Sequence, residues 1–316
     1  MKHAISLILI LAFACIVCAQ KSSDPNKFAI IINGAGGEVV YGKQFEEWTA
    51  QLSSVLSSRF GFDGKQIIVV KGATAEDVKR TFTTLKTQLD ANNVLFMFLI
   101  GHGSYDGKES KFNLVGPDLS AAEYNALLSS LPARRVVVFN MSSASGEFIK
   151  SLAAKGRIVV TATKSGQETN ATRFPGFFIS ALTAKDADTD QDGHTSVLET
   201  FVYAKRLTAD FYKQAGRLAT EHAMFDDNGD GVGHEKLEAG EGLLARATYL
   251  DSLSIDEAAA SAATGRLQKE RTRLEGEIEQ VIARKGSMAE AEYEATLERL
   301  FIELAKVNRS IKQAGS

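Results

Sequence analysis

"NVLFMFLIGHGSYDG", residues 93–107, decides the architecture. Its first part, 93–101, is apolar for too long to leave one face in water, the pattern of a strand covered on both sides of a sheet. It breaks into Gly101-His102-Gly103, so a titratable side chain follows the strand at its carboxyl end. "RRVVVFNMSSASGEF" (134–148) repeats the arrangement: an apolar run through Val138, then Ser142, Ser143 and Ser145-Gly146.

Outward from these two stretches, strands alternate with amphipathic helices. "KFAIIING" (27–34), "QIIVV" (66–70) and "RIVVTAT" (157–163) read as strands. "KQFEEWTAQLSSVLSSRFGF" (43–62), "TAEDVKRTFTTLKTQL" (74–89) and "SGEFIKSLAAK" (145–155) read as helices. The second of these opens on Thr74, with Glu76 and Asp77 in its first turn. The alternation predicts an α/β fold over residues 24–250, a mainly parallel sheet sandwiched between helices. Ligands of such sheets gather beyond the carboxyl ends of the strands, where neighbouring strands would bring His102 and Ser143 together. Gly101 and Gly103 permit a sharp bend, and the Gly103 N–H would donate into an oxyanion hole.

The two strand ends, with "RIVVTATKSGQETNATRFPGFFISAL" (157–182) after them, resemble the caspase-like fold. Within it they resemble the legumain-type (caspase–hemoglobinase) peptidases and their bacterial relatives. The resemblance covers residues 27–250 and implies an α/β sandwich and peptide-bond hydrolysis by a Cys–His dyad. The family's histidine is matched by His102, and its cysteine falls on Ser143, or on Ser142 if the alignment slips by one. A thiol ionises at a pH of about 8.5, whereas a serine hydroxyl is a far weaker acid and needs a general base oriented by a third group. Asp106 is close in the chain and reads equally as a loop-solvating residue.

Two functions stay open. One is a non-catalytic, pseudopeptidase-type protein that binds a peptide or protein partner in the strand-end cleft and through its C-terminal helices. The other is a peptidase-type hydrolase with Ser143 as nucleophile, His102 as base and the Gly103 N–H as oxyanion donor. Capping of the next helix by Ser142 and Ser143 is compatible with either.

The chain has 316 residues and a net charge of −3, with no dense Lys/Arg patch, which argues against nucleic acid as a partner. Lys2 and His3 precede an apolar stretch from Ala4 to Val17 that ends in Val17-Cys18-Ala19. That is the pattern of a signal peptide over residues 1–19, cleaved after Ala19 and directing the protein to the periplasm or outside the cell. The alternative is an uncleaved anchor, although the stretch is short against the roughly 20 residues of a bilayer span. The only two cysteines, Cys15 and Cys18, would leave with the signal. The mature chain would then have no disulfide, no cysteine-ligated metal and no cysteine nucleophile.

Two acidic loops point to calcium. "DTDQDGHTSVLE" (188–199) has acids at positions 1, 3 and 5, glycine at 6 and glutamate at 12, the spacing of an EF-hand loop. Asp188, Asp190, Asp192 and Glu199 would supply carboxylates to Ca²⁺ and His194 its backbone carbonyl, between helices predicted at 177–187 and 196–207. A second loop at 226–237 opens the same way with Asp226, Asn228, Asp230 and Gly231. Its twelfth residue is Leu237, so Glu235 or Glu238 would have to substitute.

From Ile255 to Ser316 the chain is charged and helical. Leu267, Leu274, Ile278 and Val281, then Leu297, Leu300, Leu304, Val307 and Ile311, form two apolar stripes broken at Gly286-Ser287. They predict a helical hairpin, packed either on its own domain or as a coiled coil with another chain.

Overall fold

The computed structural model describes residues 24–191, 193–236 and 241–251, and within 267–314 all but 268, 269, 272, 279 and 283. The predicted signal peptide, Asp192, Leu237, Glu238 and the start of the predicted hairpin lie outside the described residues.

The predicted strands form one sheet. β1 (Lys27–Asn33), β2 (Ile67–Val70), β3 (Val94–Ile100), β7 (Arg135–Asn140), β8 (Arg157–Thr161) and β9 (Met224–Asp226) lie in the order β2-β1-β3-β7-β8-β9. All neighbours are parallel except β9, which runs antiparallel to β8 at one edge. β3 is buried at all seven residues because helices cover both of its faces. Phe96, Phe98 and Ile100 face one apolar layer with Phe45, Trp48 and Leu52 of α1 (Val39–Ser58), and with Phe178 of α5 (Phe174–Ala181) and Phe201 of α6 (Val197–Gln214). Leu95, Met97 and Leu99 face the other layer, with Val78 and Phe82 of α2 (Ala75–Gln88), Tyr124 of α3 (Ala121–Ser129) and Phe148 of α4 (Phe148–Leu152). The α/β sandwich is therefore as expected, with two cores separated by the period-2 alternation of the strands.

Several elements differ from the sequence reading. α2 is capped as expected: the Thr74 side chain accepts from the Asp77 N–H, and Asp77 returns the bond to the Thr74 N–H. α1 begins one turn earlier than predicted, after Gly37 in the left-handed region (φ 65°). The helix expected over 145–155 contracts to the five residues of α4; at its start, side-chain bonds described below hold 142–145 in a non-helical turn. Between β3 and α3, three short strands absent from the sequence reading form an antiparallel sheet: β4 (Gly103–Tyr105), β5 (Ser110–Phe112) and β6 (Leu119–Ser120). The helix expected over 177–187 ends at Ala181 and is followed by a 3₁₀ turn, Lys185–Ala187.

At the C-terminus, Leu274 and Ile278 pack on Leu300 of the helix Glu290–Ala314, flanked by Val281, Leu297, Leu304 and Val307. A 3₁₀ turn, Lys285–Ser287, joins the two helical stretches where Gly286 breaks the stripe. The pair is tied to the sandwich by Arg246–Glu275 at 3.2 Å, Arg246 ending the short helix α7 (Leu243–Arg246). Among the described residues no helix is long and apolar enough to cross a membrane.

Candidate functional site

Because β3 and β7 are parallel neighbours, their carboxyl ends emerge side by side; Leu99 is in register with Asn140. Just beyond, Gly103 and Ser143 are in direct contact. The Gly103 N–H donates to Ser143 Oγ at 3.1 Å, and the Ser143 hydroxyl donates to the Gly103 carbonyl at 3.2 Å. Glycine is required here by close approach: a Cβ on Gly103 would stand 2.3 Å from the Ser143 carbonyl oxygen. Ser143 is 1% exposed.

His102 follows the same strand, and its ring is clasped by α1. Tyr41 and Phe45 meet it edge-on at centroid distances of 4.9 and 5.0 Å. Burial holds its pKa below the usual 6.5, opposed by a hydrogen bond to the Gly36 backbone and the charge of Glu38, so the ring is neutral at pH 7. Among the hydrogen bonds of the described residues, none joins His102 to Ser143. The sheet brings Gly103 to Ser143 and leaves the histidine ring among aromatic side chains.

The serines after β7 are bonded inward. Ser142 Oγ donates to Asn140 Oδ1 at 2.7 Å, and Ser145 Oγ lies 3.1 Å from Thr163 Oγ1. Ala144 between them has φ 51°, a left-handed conformation that costs a non-glycine residue about 1–2 kcal/mol. It is held there by Ala144 N–H to the Glu168 carbonyl and by Ser110 Oγ–H to the Ala144 carbonyl, both 2.8 Å. The N-cap of α4 is Glu147, which makes no side-chain cap, so Ser142 and Ser143 do not cap that helix. Asp106 accepts from the Lys108 and Glu109 amides and closes the β4–β5 turn. An acid–histidine pair does stand close by, one the sequence did not reveal: Glu168 and His222 meet at 2.5 Å between Oε1 and Nδ1. They are far apart in the chain and carry no spacing that could have announced them.

In the first acidic loop, carboxylate oxygens of Asp188, Asp190 and Glu199 lie within 4.8 Å of one another. The Gly193 N–H donates to Asp188 Oδ2 at 3.0 Å, and Gly193, at φ 83°, makes the turn that the sixth position requires. Glu199 also serves α6, where it accepts from the Ser196 amide and hydroxyl in a capping box. Asp190 is met at 2.8 Å by Arg271, a buried guanidinium from the C-terminal helices. The His194 ring lies 2.7 Å from Asp251. Three converging carboxylates around a glycine turn fit an oxygen-seeking dication such as Ca²⁺, with Arg271 as the positive charge it would have to compete against.

The second loop is bonded differently. Asp226 accepts from the amides of Gly229 and Gly231, Asn228 from that of Asp230, and Asp230 from that of Val232. Glu235 holds Lys205 at 3.3 Å rather than closing the loop. The acid that approaches Asp230 is Glu241, together with His234.

No protein-family model matches the chain. No curated protein matches it either. Among solved structures, it is similar to a Geobacter sulfurreducens protein determined as a structural-genomics target, with 15% identity over 64% of this chain and 93% of that one, at a TM-score of 0.44. It is also similar to caspase-1 from Spodoptera frugiperda, with 10% identity over 66% and 88% of the two chains and a TM-score of 0.42. For the Drosophila initiator caspase Dronc the identity is 11% over 68% and 84%, with a TM-score of 0.44.

Proposed function

We propose that the chain is an exported, catalytically silent caspase-like protein that binds a peptide or protein partner at its strand-end site and takes Ca²⁺ in the 188–199 loop. The bonding of Ser143 carries the first part. Its hydroxyl is buried and engaged with both polar atoms of the Gly103 backbone. A serine nucleophile needs a base within hydrogen-bond reach, about 2.6–3.2 Å, and a free amide for the oxyanion. Here the Gly103 amide is spent on the serine itself, and the His102 ring rests on Tyr41 and Phe45. Val39 and Val40, beside Tyr41 at the start of α1, are 75% and 63% exposed and offer a partner an apolar edge.

Treating the mature chain with a fluorophosphonate probe tests this reading, and Ser143 should remain unlabelled. Label on Ser143 that disappears in His102→Ala would overturn it in favour of the hydrolase. Peptidase activity gained by Ser143→Cys would identify a decayed peptidase with its geometry intact. For the metal, calorimetry of the stripped protein should detect Ca²⁺ binding at millimolar concentration, with Mg²⁺ weaker. The absence of any Ca²⁺ heat in that range would reduce the 188–199 loop to a solvated turn.

A further inference from the structure

Glu241 is 1% exposed, and among the described residues its Oε1 has no hydrogen-bond partner. A carboxylate oxygen taken out of water without a partner costs folding energy. Its surroundings add to that cost: the Asp227 N–H reaches only its other oxygen, Oε2, at 3.4 Å, and Asp226 and Asp227, both buried acids, stand nearby. Oε1 lies 3.5 Å from His234 Nε2. Asp230 completes the group, since one ligand atom from each of Asp230, His234 and Glu241 lies within 4.8 Å of the other two. Asp230 is exposed and Glu241 buried, so the group opens to solvent on one side.

From this juxtaposition we propose that Asp230, His234 and Glu241 bind a divalent transition-metal ion of the zinc class, with solvent completing its coordination. The donor set chooses the metal. One imidazole nitrogen and two carboxylate oxygens suit Zn²⁺, whereas Ca²⁺ seeks six to eight oxygens. A dication at Oε1 also answers the repulsion among the buried acids, which no cationic side chain does in the 226–241 contacts described above. The ion would tie the turn after β9 to the segment that leads into α7. The site is separate from both the strand-end reading and the 188–199 loop.

Titrating the metal-stripped mature chain with Zn²⁺ against a chromophoric chelator tests the proposal. One equivalent should bind in the presence of millimolar Ca²⁺, and Asp230→Asn and His234→Gln should each weaken it by about tenfold or more. Asp188→Ala with Asp190→Ala should leave it unchanged. Binding that is lost in His222→Gln but kept in His234→Gln would place the ion at the Glu168–His222 pair and overturn the proposal. Should the variants not fold, NMR of the unmutated chain decides. Zn²⁺ must shift the His234 ring resonances, and indifference of those resonances, or no stoichiometric binding, overturns it.

Discussion

The two acidic loops begin with the same spacing, acid or amide at positions 1, 3 and 5 and glycine at 6, yet their charges are answered in opposite ways. In the loop at 188–199, Asp190 faces Arg271 and Glu199 is absorbed into the capping box of α6, an 18-residue helix. In the loop from 226, Asp226 turns onto the loop's own amides, and Asp227 holds the amides of Gly242 and Ala245 at 2.7 Å each. Glu241 is left beneath them with an unpartnered oxygen. A shared local pattern thus gives one loop set against a buried guanidinium from outside it and another built around buried acids. What separates them is the partner supplied from outside each loop.

The comparison breaks first at Asp227. Its two bonds satisfy buried amides at the start of α7, and an orphaned buried amide costs about 1–3 kcal/mol. Asp227→Ala should therefore lower stability by about 3 kcal/mol in urea unfolding, and a loss below about 1 kcal/mol would show that Asp227 does not anchor the second loop to α7. The glycines sharpen the contrast. Gly193 and Gly229 both have φ 83°, but a Cβ on Gly193 meets open space, whereas on Gly229 it would stand 2.7 Å from the Ala154 carbonyl carbon. Gly193→Ala should cost about 1 kcal/mol from backbone strain alone, and Gly229→Ala roughly 2 kcal/mol more through the clash.

Calcium removal is expected to act on the first loop. At a hundredfold excess over Kd, Ca²⁺ adds about 2.7 kcal/mol, which in a protein of this size raises Tm by several degrees. Asp188→Ala with Asp190→Ala should abolish most of that rise, measured by calorimetric melting with and without chelator. A smaller effect is expected from Arg271→Gln, which removes the competing cation and should tighten Ca²⁺ by about fivefold. Unchanged affinity would mean that Arg271 and the ion do not contend for Asp190.

The last prediction lies outside both loops. The folded-state pKa of His102 is depressed, so its contribution to stability is present above the unfolded value, the usual 6.5, and is lost as the pH falls through the folded value. NMR titration should place the His102 midpoint below 6.5, and a midpoint at or above it would mean that the ring is not enclosed by Tyr41 and Phe45 as described.

Much of the sandwich was legible because its signals are local. β3 was expected over 93–101 and spans Val94–Ile100, and Thr74 caps α2 as its spacing with Asp77 requires. α3 was missed although Ser120 and Glu123 carry the same capping-box spacing, and the structure realises both of its bonds. β9 had no such signal, since three residues are too few to show a period. At the strand ends, the sequence located His102, Gly103 and Ser143 but not their pairing, because the bond that Ser143 makes crosses between two parallel strands.

By itself the sequence determined where the chain is buried on two faces, where it turns and where its acids cluster, since each follows from the periodicity of neighbouring residues. The tertiary structure alone decided which atoms answer which. It gave the Ser143 hydroxyl to the Gly103 backbone and Asp190 to Arg271, and it set Glu241 beside His234. The physical reason is that hydrogen bonds and charge pairs reach only a few ångströms. Their partners are therefore chosen by what the packed sheet and helices bring together in space, and the spacing along the chain carries no record of that choice.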